Sequence, residues 1–194
     1  MKKIFLALIL VISTLFTGCD NNKGPFTKKM ENGEVILYSG NKPAKGGVSL
    51  TIVNNAGLEV IVSEIDYDKG IPTGEFKLYK ANGKLMIEAN GKWEKGVYNG
   101  KIKEFYNDGY ITGEGKFNLP VNFVINYTGQ RIGALTKYTF ENENYDIIQE
   151  FLEEGEEKWY LDGKKFKELY RKNGQVVKYI EYNEDGTINN EKNN

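Results

Sequence analysis

A period governs what this chain can fold into. Lys69-Gly70-Ile71-Pro72-Thr73-Gly74 recurs 26 residues later as Lys95-Gly96-Val97-Tyr98-Asn99-Gly100. The correspondence continues through Phe76-Lys77 and Ile102-Lys103, Tyr79 and Phe105, Asn82-Gly83 and Asp108-Gly109, and Leu85 and Ile111. Gly57 precedes Gly83 by the same interval, which places an earlier, looser copy over 39–60. A degenerate later copy begins at Thr128-Gly129, with Gly133, Leu135 and Tyr138 in the places of Gly100, Ile102 and Phe105. Near the end, Tyr170-Arg171-Lys172-Asn173-Gly174 and Tyr182-Asn183-Glu184-Asp185-Gly186 repeat an aromatic-x-x-Asn/Asp-Gly element at an offset of 12. A repeat of this length is one supersecondary unit that buries its apolar side only against its neighbours.

Each unit reads as two strands and two turns. Asn82-Gly83 and Asp108-Gly109 stand between runs rich in Phe, Tyr, Leu and Ile. Such dipeptides reach positive φ at little cost, so two-residue hairpins are expected there. Lys69-Gly70 and Lys95-Gly96 mark the turns at the opposite edge. The spacing of the glycines is read as following these turns, since none of them forms Gly-x-Gly-x-x-Gly or a Walker-type loop. The expected fold is all-β, an antiparallel meander of repeated β-hairpins that forms an elongated twisted sheet. Over Asn144–Glu154 two readings stand. Tyr145, Ile148 and Leu152 share a helical stripe with Gly155 as a stop, or Tyr145, Ile147 and Phe151 alternate on a strand with a turn near Glu154-Gly155. The hairpin-like flanks favour the strand.

Gly74-Glu75-Phe76-Lys77-Leu78-Tyr79 with Asn82-Gly83-Lys84-Leu85, and Gly100-Lys101-Ile102-Lys103-Glu104-Phe105-Tyr106 with Asp108-Gly109, carry a family resemblance. The pattern is similar to the bacterial MORN-repeat-variant proteins, clearly over 69–117 and more weakly from about 35 to 188. The resemblance implies a sheet scaffold for protein or membrane contacts, and some members are called antitoxins. It implies no catalytic residues.

The amino terminus reads as an address. Met1-Lys2-Lys3 precedes an apolar run from Ile4 to Phe16 and then Thr17-Gly18-Cys19. A basic start, an apolar core of about a dozen residues and a small-residue end make a secretory signal peptide, too short to span a bilayer comfortably. Leu15-Phe16-Thr17-Gly18-Cys19 resembles the lipobox of bacterial lipoproteins, which implies cleavage before Cys19 and acylation of its thiol and new amino terminus. The expected organisation is a signal peptide over 1–18, a lipidated tether over 19–27 and a β-repeat domain over 28–190. The expected location is the exported side of a bacterial membrane.

Composition removes several chemistries. The chain has no histidine, which excludes Ser-His-Asp and Cys-His nucleophile systems and His-ligated zinc. Its single cysteine, Cys19, leaves no internal disulfide. Without Lys2 and Lys3 the mature chain holds 24 basic and 27 acidic residues, so no nucleic-acid partner is expected. Glu150, Glu153, Glu154, Glu156 and Glu157 crowd one segment. They are read as a solvated charged turn rather than the paired carboxylates of a glycan hydrolase. Asp66-x-Asp68-x-Gly70 lacks the glutamate of a calcium loop, because position 77 is Lys77.

Neither a cofactor nor a metal is expected, and no enzymatic activity. What remains is a protein-binding or structural module held to the membrane through Cys19, or an antitoxin of immunity type. Phe76, Tyr79, Trp93, Phe105, Tyr106 and Tyr138 are the candidate partner-binding aromatics. Phe76 and Tyr79 lie three apart and so face opposite sides of a strand.

Overall fold

The computed structural model describes residues 26–32, 34–53, 56–80, 82–121, 123 and 146–194. The leader, Cys19, Tyr138 and the repeat copy expected from Thr128 lie outside the described residues. Among the described residues two sheets account for the strands. β1 (Phe26–Glu31), β2 (Glu34–Ser39) and β3 (Lys42–Pro43) form a small antiparallel sheet. β1 opens at Phe26, within residues read from the sequence as tether. The second sheet has ten strands that pair in sequence order. They are β4 (Gly46–Val53), β5 (Glu59–Asp68), β6 (Ile71–Tyr79), β7 (Leu85–Glu94), β8 (Val97–Phe105), β9 (Gly109–Phe117), β10 (Leu152–Leu161), β11 (Lys164–Lys172), β12 (Gln175–Tyr182) and β13 (Ile188–Asn193). Every neighbouring pair is antiparallel, and the sheet is open and uncurled. This is the all-β meander expected from the repeat: β6 and β8 begin 26 residues apart, as do β5 and β7.

The turns divide differently from the expectation. Among the described residues, the two-residue turns with positive φ at both positions are Lys69-Gly70, Lys95-Gly96, Asp162-Gly163 and Asn173-Gly174. That pairing is type I′, whose twist matches the flanking strands. Asn82-Gly83 closes a wider loop, in which Lys80 N–H donates to Lys84 C=O at 2.8 Å and Gly83 N–H to Lys80 C=O at 2.9 Å. There only Gly83 needs positive φ, and the Asn82 side chain instead accepts the Lys84 N–H at 3.0 Å. Asp185-Gly186 repeats that arrangement, with Asp185 accepting from Thr187 N–H at 2.9 Å. Gly109 is not a turn glycine. It belongs to β9, and a Cβ on it would stand 2.0 Å from the Tyr160 carbonyl oxygen.

Other glycines also lie inside strands, against the reading that their spacing follows hairpin turns. Gly91, Gly100, Gly115 and Gly155 are paired in register across β7, β8, β9 and β10. Gly74 of β6 extends the row, with a Cβ there 2.3 Å from the Gly91 carbonyl oxygen. At Gly100 a Cβ would meet Asn90 O and Gly91 Cα at 2.5 Å, and at Gly115 and Gly155 the neighbouring carbonyls at 2.0 and 2.1 Å. The backbones approach so closely here that no side chain fits between them. Tyr98 closes the row from the packed face. Its ring lies over Gly91, it is fully buried, and its hydroxyl donates to Gly74 C=O at 2.9 Å.

That packed face carries the core. Phe76, Ala89, Ile102 and Gly113 stand side by side on β6 to β9, and Leu78, Ile87, Glu104 and Ile111 form the next row. Trp93, Tyr98 and Phe117 form a third, with Trp93–Tyr98 centroids 4.9 Å apart and Tyr98–Phe117 5.8 Å. The small sheet joins at the β5–β6 turn, where Leu37 N–H donates to Gly70 C=O at 2.9 Å and Gly70 N–H to Ala44 C=O at 2.7 Å. Of the segment 144–154, Asn144 and Tyr145 lie outside the described residues, and the rest takes part of each reading. α1 (Ile147–Phe151) packs Ile148 on Gly113, and β10 then starts at Leu152. Gly155 is neither a helix stop nor a turn; it sits inside β10 opposite Gly115. Five residues cannot sustain a helix alone, so packing on β9 decides its presence.

Gly100→Ala is expected to cost about 2–4 kcal/mol in urea denaturation, because the backbone of β7 must move. Gly96→Ala should cost about 1 kcal/mol, since only its positive φ is at stake and nothing lies within 4 Å. Equal losses at the two sites would contradict the close-approach account. Tyr98→Phe should lower stability by about 1–2 kcal/mol, by leaving the buried Gly74 carbonyl without its donor.

Candidate binding face

Alternation along each strand sends every second side chain to the face opposite the core. On that face Lys77, Glu88, Lys103, Thr112, Lys158 and Glu168 stand in one register row from β6 to β11. Asn90, Lys101, Glu114 and Glu156 form a second row. Opposite charges meet across strands: Lys77–Glu88 at 3.5 Å, Lys101–Glu114 at 3.6 Å and Lys116–Glu154 at 2.5 Å. Their side chains are about half exposed, so each pair is worth no more than about 1 kcal/mol and mainly sets the register. Between β4 and β8 this face forms an open groove of about 600 Å³, and a second hollow of about 620 Å³ continues from Asn90 and Lys101 toward Glu154.

The sequence-derived aromatics separate between the two faces. Phe76 is buried in the core and stacks on Trp93 at 6.3 Å, while the Trp93 indole N–H donates to Leu119 C=O at 2.8 Å. Tyr106 is half-buried on the packed side, where its hydroxyl lies 3.1 Å from Glu104 and 3.2 Å from Asp146. Tyr79 and Phe105 are on the open face. The Tyr79 hydroxyl bonds Glu64, and burial together with that carboxylate pushes it up to about 12. Phe105 begins a cross-strand strip missed in the sequence: Phe105, Tyr110 and Tyr160 are register partners on β8, β9 and β10. Tyr110 and Tyr160 stack at 4.4 Å, and the Lys103 ammonium sits 3.9 Å from the Tyr110 ring centroid. Only partnership across three strands makes this a strip, and single-strand spacing does not reveal it.

The acidic segment is not a solvated turn. Glu154 and Glu156 lie on β10 and pair with Lys116 and Lys158. Glu157 is fully buried and accepts from Trp159 Nε1 at 2.6 Å and Arg171 Nε at 2.8 Å. Glu168 is a second buried acid. Burial alone would raise its carboxyl, but Lys165 at 2.6 Å and the hydroxyls of Tyr182 and Tyr170 at 2.8 Å hold it down to about 2. Glu104 is the third. Its Oε1 accepts from Ile148 N–H at 2.9 Å, and burial pushes its carboxyl up to about 7 against that bond and the Tyr106 hydroxyl. These carboxylates do not face one another across a cleft; each is used up by its own donors. Among the described residues no group of three acids or other ligands is placed to hold a metal, and no helix is long and apolar enough to cross a membrane. Asp66-x-Asp68-x-Gly70 forms the end of β5 and a type I′ turn.

No family model matches the chain, and no curated protein or solved structure is detectably similar to it. The resemblance to MORN-variant repeats therefore rests on the residues quoted above.

Glu104 has a measurable signature. Its folded value is above the ordinary 4.5, so its contribution is complete below about pH 4.5 and is lost as pH rises through about 7. Glu168 is shifted the other way and loses its contribution only as pH falls from about 4.5 toward 2. The unfolding free energy of the wild type, from urea denaturation, should therefore fall between about pH 5 and about pH 8 by an amount on the order of 1–3 kcal/mol. Glu104→Gln should flatten that slope. An unchanged slope in the variant would assign it to other groups.

Proposed function

We propose that this chain is an exported lipoprotein, anchored through acyl chains on Cys19, whose β-sheet displays one face to a protein partner. The observation that carries the reading is the contrast between the faces. One is closed by Tyr98, Phe117 and the helix α1, and the other holds the half-exposed strip Phe105, Tyr110 and Tyr160 beside an open polar groove. A contiguous open surface with aromatic side chains is what protein recognition uses. The anchor is supported by Thr17-Gly18-Cys19 after the apolar run. Two or more acyl chains make such anchoring stable, where a single one is marginal. Of the six candidate aromatics Tyr79 and Phe105 stay on the partner surface, joined by Tyr110 and Tyr160, and Tyr138 lies outside the described residues. Phe76, Trp93 and Tyr106 serve the packed side.

Two measurements test this. Cys19→Ser should move the protein from the membrane fraction to the soluble exported fraction and abolish fatty-acid labelling. Crosslinking in intact cells should recover a partner with the wild type and recover at least about tenfold less with Phe105→Ala/Tyr160→Ala, the loss of two central aromatics. Full retention by the double variant would remove the aromatic strip from the interface.

A further inference from the structure

The groove over β4–β8 is electrically polar from end to end. β5 and β6 bring Asp66 and Glu75 to one end, both exposed and neither in an ion pair with any described residue. β8 brings Lys101 and Lys103 to the other. Between them Lys77 and Glu88 neutralise each other at 3.5 Å. At the basic end Lys101 reaches Glu114 only at 3.6 Å, and Lys103 leans on the Tyr110 and Phe105 rings and is in no ion pair with any described residue. β5 and β8 are three strand spacings apart, which separates the poles by about 14 Å. An extended polypeptide rises about 3.4 Å per residue, so two side chains four positions apart match that span.

We propose that this groove takes an extended polypeptide segment laid across β5–β8, with a cationic side chain over Asp66 and Glu75 and an anionic one four residues away at Lys101 and Lys103. The proposal rests on the display reading and names the partner's chemistry. The central strands of a sheet have their backbone groups paired, so a ligand on this face is recognised through side chains and not by strand addition. Mixed poles disfavour polymers of a single charge sign: a nucleic acid would meet Asp66, Glu75 and Glu88, and a wholly basic segment would meet Lys101 and Lys103.

The test uses the full-length chain in a nonionic detergent and fluorescence anisotropy. The probe is a dye-labelled acetyl-Lys-Ser-Thr-Ser-Glu-amide; all-lysine and all-glutamate peptides of the same length serve as comparisons. The dipolar peptide should bind saturably and at least about tenfold tighter than either comparison. Its affinity should drop at least about tenfold from 0.01 M to 1 M salt, as the screening length contracts from about 30 Å to about 3 Å. Asp66→Lys/Glu75→Lys should shift preference to the all-glutamate peptide, and Lys101→Glu/Lys103→Glu to the all-lysine one, with far-ultraviolet spectra unchanged. Equal affinity for the three peptides, no saturable binding at millimolar concentration, or no shift in either charge-reversed variant would overturn the proposal. Partner crosslinking through Phe105 and Tyr160 reads independently, so a silent groove beside a retained crosslink rejects this site and leaves the display reading standing.

Discussion

The sheet depends on a line where backbone meets backbone. Gly74, Gly91, Gly100, Gly115 and Gly155 cross five consecutive strands, and a Cβ at any of them would fall within 2.5 Å of a neighbouring chain. Interstrand contact this close removes the space that a side chain would occupy, so the core on that side must be supplied from elsewhere. Tyr98 supplies it. Its ring lies over the furrow and its hydroxyl takes the Gly74 carbonyl, which ties β8 to β6 across the intervening strand. Trp93 and Phe117 pack on the same ring. The next glycine along, Gly113, leaves room for Ile148 and so for α1.

Toward the carboxyl terminus the means of closing the sheet changes. The row of Phe76, Ala89, Ile102 and Gly113 continues into Glu157 and Leu169. A charge replaces an aliphatic residue there, and Arg171 with the Trp159 indole satisfies both of its oxygens. Glu168 on the opposite face is enclosed by Lys165, Tyr170 and Tyr182. Such knots add little net stability over an apolar core, but removing one member leaves a buried charge alone. They act as register locks in strands that have few large aliphatic residues.

The two faces thus do different work. Close packing consumes Phe76 and Trp93, and the helix cap at Glu104 consumes Tyr106. Phe105, Tyr110 and Tyr160 are left on the other side beside a groove whose charges are separated by strand. A meander with an open face suits display, because added strands enlarge the surface without altering those already formed.

The sequence by itself determined the strand-and-turn period, the all-β class and the antiparallel order, because these follow from local rules. Gly70 and Gly96 reach positive φ at little cost wherever they stand, and alternation needs only the chain. It could not separate a turn glycine from a furrow glycine. Gly96 and Gly100 are four residues apart and chemically identical, yet one needs a dihedral and the other needs an absent side chain. Gly70 and Gly96 are equivalent in the repeat, but only Gly70 is packed against Ile36 and Leu37. Nor could it tell which acids are buried: Glu104, Glu157 and Glu168 resemble their solvated neighbours until segments 44 or 14 residues away bring Ile148, Arg171 and Tyr182 to them in turn. Those choices belong to tertiary structure, because close approach, burial and electrostatic pairing are properties of two chain segments at once.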